Sequence, residues 1–205
     1  LFERKKYKDV AEKFEEAIRK AGNPSLASRA QLLLADSHFL AKDYVPAASS
    51  YETFLMIYPN LPEASYAKMR MGLCYYNQIG KPDRDMKHVE DAYAIFAEIQ
   101  EANPGYAAEF ELTSKLAELK NLLAKRELLI AEFYFRTGND RSAVGRLQYI
   151  IEHYQDTEAF ANSLMLLGDY YADKDGYDAE AIKYYRALLR AFPDSEYSKE
   201  VTKSL

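Results

Sequence analysis

The chain has 205 residues, 48% of them apolar, enough to build a packed core and too many for global disorder. A formal net charge of -5 argues against a nucleic-acid partner, which needs a basic face. A single cysteine, Cys74, excludes an internal disulfide or a cysteine-based metal site, and no apolar run is long enough to cross a bilayer.

The first predicted element is one amphipathic helix with Tyr7, Val10, Phe14 and Ala17 at helical spacing, stopped by Ala21-Gly22-Asn23-Pro24. Its basic run, Glu3-Arg4-Lys5-Lys6-Tyr7-Lys8, reads as a solvated face. The helix has the phase of the second member of a helix pair, so its partner is expected mostly before Leu1, where the pattern opens midway. No stretch reads as a signal peptide, and a processed or disordered segment is expected ahead of Leu1.

The next unit, 25–61, carries Leu34, Ala35 and His38 on a first helix and Tyr44, Ala47, Tyr51 and Phe54 on a second. Pro46 falls in the first turn of that second helix, where a missing N–H is tolerated. In the third unit, 62–105, Gly72 and Ala92 are 20 positions apart, against 12 from Ala35 to Ala47. The eight extra residues fall in a polar loop, Gly80-Lys81-Pro82-Asp83-Arg84-Asp85-Met86-Lys87-His88. The fourth unit, 106–156, has no Gly or Pro between Tyr106 and Thr137. Leu112, Leu116, Leu119, Leu123 and Ile130 predict one helix of roughly 28 residues, about 42 Å long at 1.5 Å per residue. The fifth unit, 157–205, holds Leu164, Leu167, Gly168, Tyr171, Ala181, Tyr185 and Leu188. Asp156-Thr157-Glu158 and Asp194-Ser195-Glu196 are expected to cap the helices that follow them.

Small residues recur in pairs: Ala35/Ala47, Gly72/Ala92, Ala131/Ala143 and Gly168/Ala181. Each pair is followed by a stop: Tyr58-Pro59, Asn103-Pro104, Tyr154-Gln155 and Phe192-Pro193. A small residue is needed at both places where two antiparallel helices cross closely. The blocks resemble tetratricopeptide (TPR) repeats, whose period is about 34 residues. The expected fold is therefore all-α: a right-handed superhelix of about five TPR helix pairs, with 1–24 as the first, partial unit and 1–205 as one solenoid. Eighteen Tyr, ten Phe and no Trp suit cores with one ring per helix pair.

No catalytic constellation stands out. His38, His88 and His153 lack metal-ligand spacing, and there is no phosphate loop or nucleophile elbow. No cofactor, metal or catalytic residue is expected, and Cys74 reads as core. Repeat arrays bind proteins, and first helices line their groove. Positions one, four and five after the small residue select Asp36, Phe39 and Leu40; Leu73, Tyr76 and Asn77; Glu132, Phe135 and Arg136; and Asp169. Arg29 and Tyr66 fall near the same surface. Either these rings form an apolar trough for an extended peptide, or they pack against neighbouring helices.

Several stretches carry a more specific resemblance. They are Met69-Arg70-Met71-Gly72-Leu73, the Asp83-Arg84-Asp85 insertion, Leu119-Lys120-Asn121-Leu122-Leu123-Ala124-Lys125, Glu127-Leu128-Leu129-Ile130-Ala131-Glu132-Phe133-Tyr134, and Arg146 in Ala143-Val144-Gly145-Arg146-Leu147. Over essentially its whole length the sequence resembles the BamD (YfiO/ComL) family of outer-membrane assembly lipoproteins. The resemblance implies a non-enzymatic part of the β-barrel assembly (BAM) machinery, lipid-anchored through an N-terminal Cys on the periplasmic face of a Gram-negative outer membrane. It implies binding to POTRA domains of a BamA-type barrel protein, to C-terminal segments of unfolded outer-membrane proteins, and to accessory BAM lipoproteins. On that basis Arg146, Asp83, Arg84 and Asp85 are expected to meet the BamA-type partner. Arg29, Asp36, Phe39, Tyr66, Tyr76 and Asn77 are expected to form the client groove. The stretch Tyr171-Ala172-Asp173-Lys174-Asp175-Gly176 departs from the family pattern. A Tol–Pal-type periplasmic adaptor, suggested by Phe192-Pro193-Asp194-Ser195-Glu196, and a pilotin-like lipoprotein for secretin or pilus assembly are the alternatives.

Overall fold

A computed structural model describes residues 2–80 and 86–204. The helices are α1 Phe2–Lys20, α2 Pro24–Leu40, α3 Tyr44–Ile57, α4 Ala64–Tyr76, α5 Lys87–Ala102, α6 Pro104–Glu109, α7 Leu112–Arg136, α8 Asp140–His153, α9 Glu158–Ala172, α10 Asp178–Ala191 and α11 Glu196–Ser204. Among the described residues there is no strand, and the all-α expectation holds. Two compact units result, residues 1–119 and 120–205. Asp83, Arg84 and Asp85 lie outside the described residues.

Helix starts follow from local chemistry. Asn23 and Asn103 each precede a proline, and each side chain accepts the backbone N–H three residues on, at 2.9 Å from Leu26 and 3.1 Å from Tyr106. The Asn-Pro pair that stops one helix thus caps the next. Asn139 caps α8 in the same way, accepting from Ser142 N–H at 3.3 Å. Ser195 meets the expectation for α11, its Oγ accepting from Ser198 N–H at 3.1 Å. Thr157 does not cap α9: its hydroxyl turns back and donates to the Tyr154 carbonyl at 2.6 Å.

The long helix of the fourth unit is shorter than expected. It breaks at Phe110-Glu111, where Glu111 has φ 54°, a left-handed conformation uncommon outside glycine. The break ends α6, lets Tyr106 and Phe110 pack edge to face at 4.9 Å, and drives Leu112 to full burial. From there α7 runs 25 residues, about 38 Å.

The small-residue positions behave as close crossings. Ala35, Ala47, Ala92, Ala131 and Ala143 are fully buried. A Cβ built on Gly72 would lie 2.7 Å from Phe96 Cε1 and 2.8 Å from Ile95 Cγ2, and one on Gly168 would lie 2.3 Å from Tyr185 Cε1. In the first unit Ala35, Ala47, Tyr51, Phe54, Ala67 and Cys74 form a core against which Phe39 and Tyr44 pack. In the second unit Leu147, Ile150 and Leu167 form one cluster, and Leu164, Leu188 and Val201 another, the last bringing α11 onto the core.

Burial pushes the Cys74 thiol up from its ordinary 9.0 to about 12, so it is a packing residue as expected. Iodoacetamide is expected to leave Cys74 unmodified in the folded protein at pH 8 and to alkylate it fully in urea. Rapid labelling of the native state would contradict this burial.

Candidate functional site

In the first unit the expected groove residues separate into three surroundings. Asp36 of α2 is the centre of one. Its Oδ1 accepts from the Tyr51 hydroxyl of α3 at 2.5 Å and from the Tyr66 hydroxyl of α4 at 2.9 Å. Arg70 Nε lies 3.8 Å from the same oxygen, with both side chains only about a fifth exposed. The Arg70 guanidinium covers the Phe39 ring at 3.8 Å, while Tyr44 meets that ring edge-on at 5.4 Å. Arg70 Nε itself is buried without a hydrogen-bond acceptor. Three helices are thus tied by one carboxylate, two phenols and one cation stacked on a ring.

Burial first, and Asp36 second, raise the Tyr51 hydroxyl well above the ordinary phenol value; burial and Asp36 raise Tyr66 from 10.0 to about 12. Raised folded-state values for Tyr66 and Cys74 mean that the unfolded chain releases these protons first. Their stabilisation is intact below pH 9.0 and is lost as pH rises through about 12. The urea midpoint is expected to fall steadily above pH 9, and a flat profile to pH 11 would contradict the buried network.

Arg29 takes no part in that cluster. It is exposed on α2, at the edge of a groove of about 290 Å³ walled by Phe14, Ala17, Leu26, Ala30 and Leu33, with Lys20 nearby. Tyr76 forms the third surrounding: its hydroxyl donates to the Glu118 carboxylate, and its ring packs against Phe96 at 6.2 Å. The Glu118 hydrogen bond, then burial, raise Tyr76 to about 12. Asn77 folds back, its Nδ2 donating to the Leu73 carbonyl at 2.7 Å. Arg70 and Tyr51 complete the Asp36 cluster but were not selected by position in the repeat. The signal for Arg70 is its place two residues before Gly72, facing the preceding first helix.

In the second unit Arg146 of α8 donates through one terminal nitrogen to Glu127 of α7 at 2.7 Å, with 43% of its side chain exposed. Glu127, 19 residues upstream, could not be paired with it from spacing alone. Phe135 packs on the second core and against Tyr170 at 5.4 Å. Asp169 accepts from the Tyr185 hydroxyl at 2.7 Å. Among the described residues no helix is long and apolar enough to cross a membrane.

Residues 2–183 match the family model of YfiO, outer membrane lipoprotein. The chain is 25% identical over 195 residues to the outer membrane protein assembly factor BamD of Caulobacter vibrioides, covering 95% of this chain and 64% of that protein. It is 27% identical over 197 residues to BamD of Rickettsia prowazekii, with 96% of this chain and 78% of that protein covered. Against BamD of Neisseria meningitidis serogroup A it is 29% identical over 181 residues, covering 83% and 67%.

Proposed function

Because the chain belongs to the YfiO family of outer membrane lipoproteins, we propose that it is a non-enzymatic scaffold of outer-membrane β-barrel assembly. In this reading it is lipid-anchored at the periplasmic face and holds two kinds of partner. The observation that carries it is a family match running through both compact units rather than through one repeat.

The first unit receives the C-terminal segment of an unfolded barrel protein. A groove of about 290 Å³ with apolar walls and Arg29 and Lys20 beside it suits a terminal aromatic ring whose carboxylate meets a cation. Arg70 on Phe39 and the Tyr76 ring offer further surfaces for an extended chain, and Asp36 holds Arg70 in place. Ordering an extended peptide is costly, so an affinity of about micromolar order is expected. Photocrosslinkers at positions 39 and 76 are expected to capture a client peptide with a free carboxylate more strongly than its amide. No adduct at either position would remove these further surfaces; equal yields would remove the carboxylate pairing.

The second unit meets the POTRA domains of a BamA-type partner through Arg146. Asp83, Arg84 and Asp85 are a second proposed contact with that partner. Arg146 uses one nitrogen on Glu127 and also interacts with Tyr134, yet it is nearly half exposed, so its planar fork can still meet a partner carboxylate. The pair sits at the surface on its Arg146 side, with Glu127 18% exposed, and leucine keeps the helix-forming character of the position. Arg146→Leu is therefore expected to keep full helical circular dichroism and to weaken POTRA binding by about tenfold, about 1.4 kcal/mol. Unchanged affinity in a calorimetric titration would refute the assignment.

A further inference from the structure

We propose that a tyrosine-lined basin in the second unit, between α8 and the α9–α10 turn, binds a proline-rich segment of a partner protein in the polyproline II conformation. The basin is an open one of about 710 Å³, within the size range of ligand clefts. One wall is α8, with Val144, Gly145 and Gln148; the other is Tyr170 and Tyr171 of α9 with Tyr177 of the turn.

The rings are set by one another before any ligand arrives. Tyr171 stacks on Tyr177 at 5.7 Å and 28°, and on Tyr184 at 5.7 Å and 6°. Tyr170 meets Tyr171 edge-on at 5.1 Å and 74°. Tyr177 is 46% exposed, so this ladder ends on an open aromatic face. Opposite it Gly145 leaves a notch: a Cβ there would have nothing within 4 Å.

Hydrogen-bonding chemistry selects the occupant. Three tyrosines, Gln148 and Arg141 line the space, and each of these side chains carries a donor. Asp140 is the basin's one carboxylate, and it is engaged by Lys174, 3.7 Å away, whose ammonium also lies 4.4 Å from the centre of the Tyr170 ring. A lining rich in donors, with its strongest acceptor engaged, suits a chain rich in carbonyls and poor in N–H groups. Prolines remove the N–H, and polyproline II leaves every carbonyl open to outside donors. Pyrrolidine rings pack on aromatic faces, and the stiff conformation has little entropy left to lose. A strand or helix would bring unpaired N–H groups or a bulk too wide for the notch. Neither Arg146 nor the groove of the first unit is involved, so this site stands apart from the function proposed above.

The test is a titration of the whole isotope-labelled chain with acetylated decaproline, read by amide NMR, with a glycine–serine decapeptide as control. Saturable shifts are expected at residues 144, 145, 148, 171 and 177, with a dissociation constant on the order of 0.1–1 mM. Gly145→Leu fills the notch in a helix interior where leucine is the better helix former, so the variant folds. It is expected to weaken binding at least about tenfold, as is Tyr177→Ala, whereas Arg146→Leu binds as the parent does. Absence of shifts at about 5 mM decaproline, shifts elsewhere on the chain, equal shifts from the glycine–serine peptide, or undiminished binding by Gly145→Leu would each overturn the proposal.

Discussion

Asp36→Ala is expected to destabilise the first unit by about 3–5 kcal/mol, the cost of breaking a buried pair from one side. The carboxylate is the common acceptor of Tyr51 and Tyr66 and the anion beside Arg70. Removing it leaves two phenols without their acceptor and a mostly buried guanidinium whose Nε already lacks one. Arg70→Met is expected to cost less, because methionine fills the space over Phe39 without a charge to satisfy. The double substitution should then cost less than the sum, since no uncompensated cation remains. Urea unfolding of the four proteins measures this; an Asp36→Ala penalty below about 1 kcal/mol, or strict additivity, would show that the cluster is solvated.

Gly72→Leu is expected to be as damaging. Even the first added carbon would stand 2.7 Å from a Phe96 ring that is fully buried and cannot swing away. Overpacking of this kind costs about 1–3 kcal/mol for modest additions and more when the neighbour is locked. Gly72→Ala should fall at the lower end of that range, and Gly72→Leu should fail to give a cooperative melt. Gly80→Ala, with nothing within 4 Å of its added carbon, is the control. A thermal midpoint for Gly72→Leu within a few degrees of the parent would mean that the crossing is not close.

These two residues mark what periodicity can and cannot disclose. Gly72 was legible because a small residue at a fixed place in a helix pair reports the distance of closest approach, and the same logic located Ala35, Ala131 and Gly168. Helix bounds were legible where a breaker also serves as a cap, as at Asn23-Pro24 and Asn103-Pro104. The break at Phe110-Glu111 was not, since neither residue is a breaker, yet Glu111 takes a left-handed conformation. Groove positions were the least legible. Repeat geometry places Asp36, Phe39 and Tyr66 on one surface, yet it is silent on which of them a neighbouring helix will engage; Arg70 of α4 engages Asp36 and Phe39 of α2, and lies over Tyr66 of its own helix. Arg146 illustrates the same limit, its partner Glu127 being brought near only by the packing of α7 on α8.

The scaffold reading makes one barrel protein the defining partner. Capture of the full-length protein from native envelopes in mild detergent, followed by identification of the most abundant copurifying barrel protein, tests it most directly. A POTRA-bearing BamA-type protein should dominate, and Arg146→Leu should reduce its yield. Recovery of Pal or of a secretin in its place would contradict the assignment and point to a Tol–Pal-type adaptor or a pilotin-like lipoprotein.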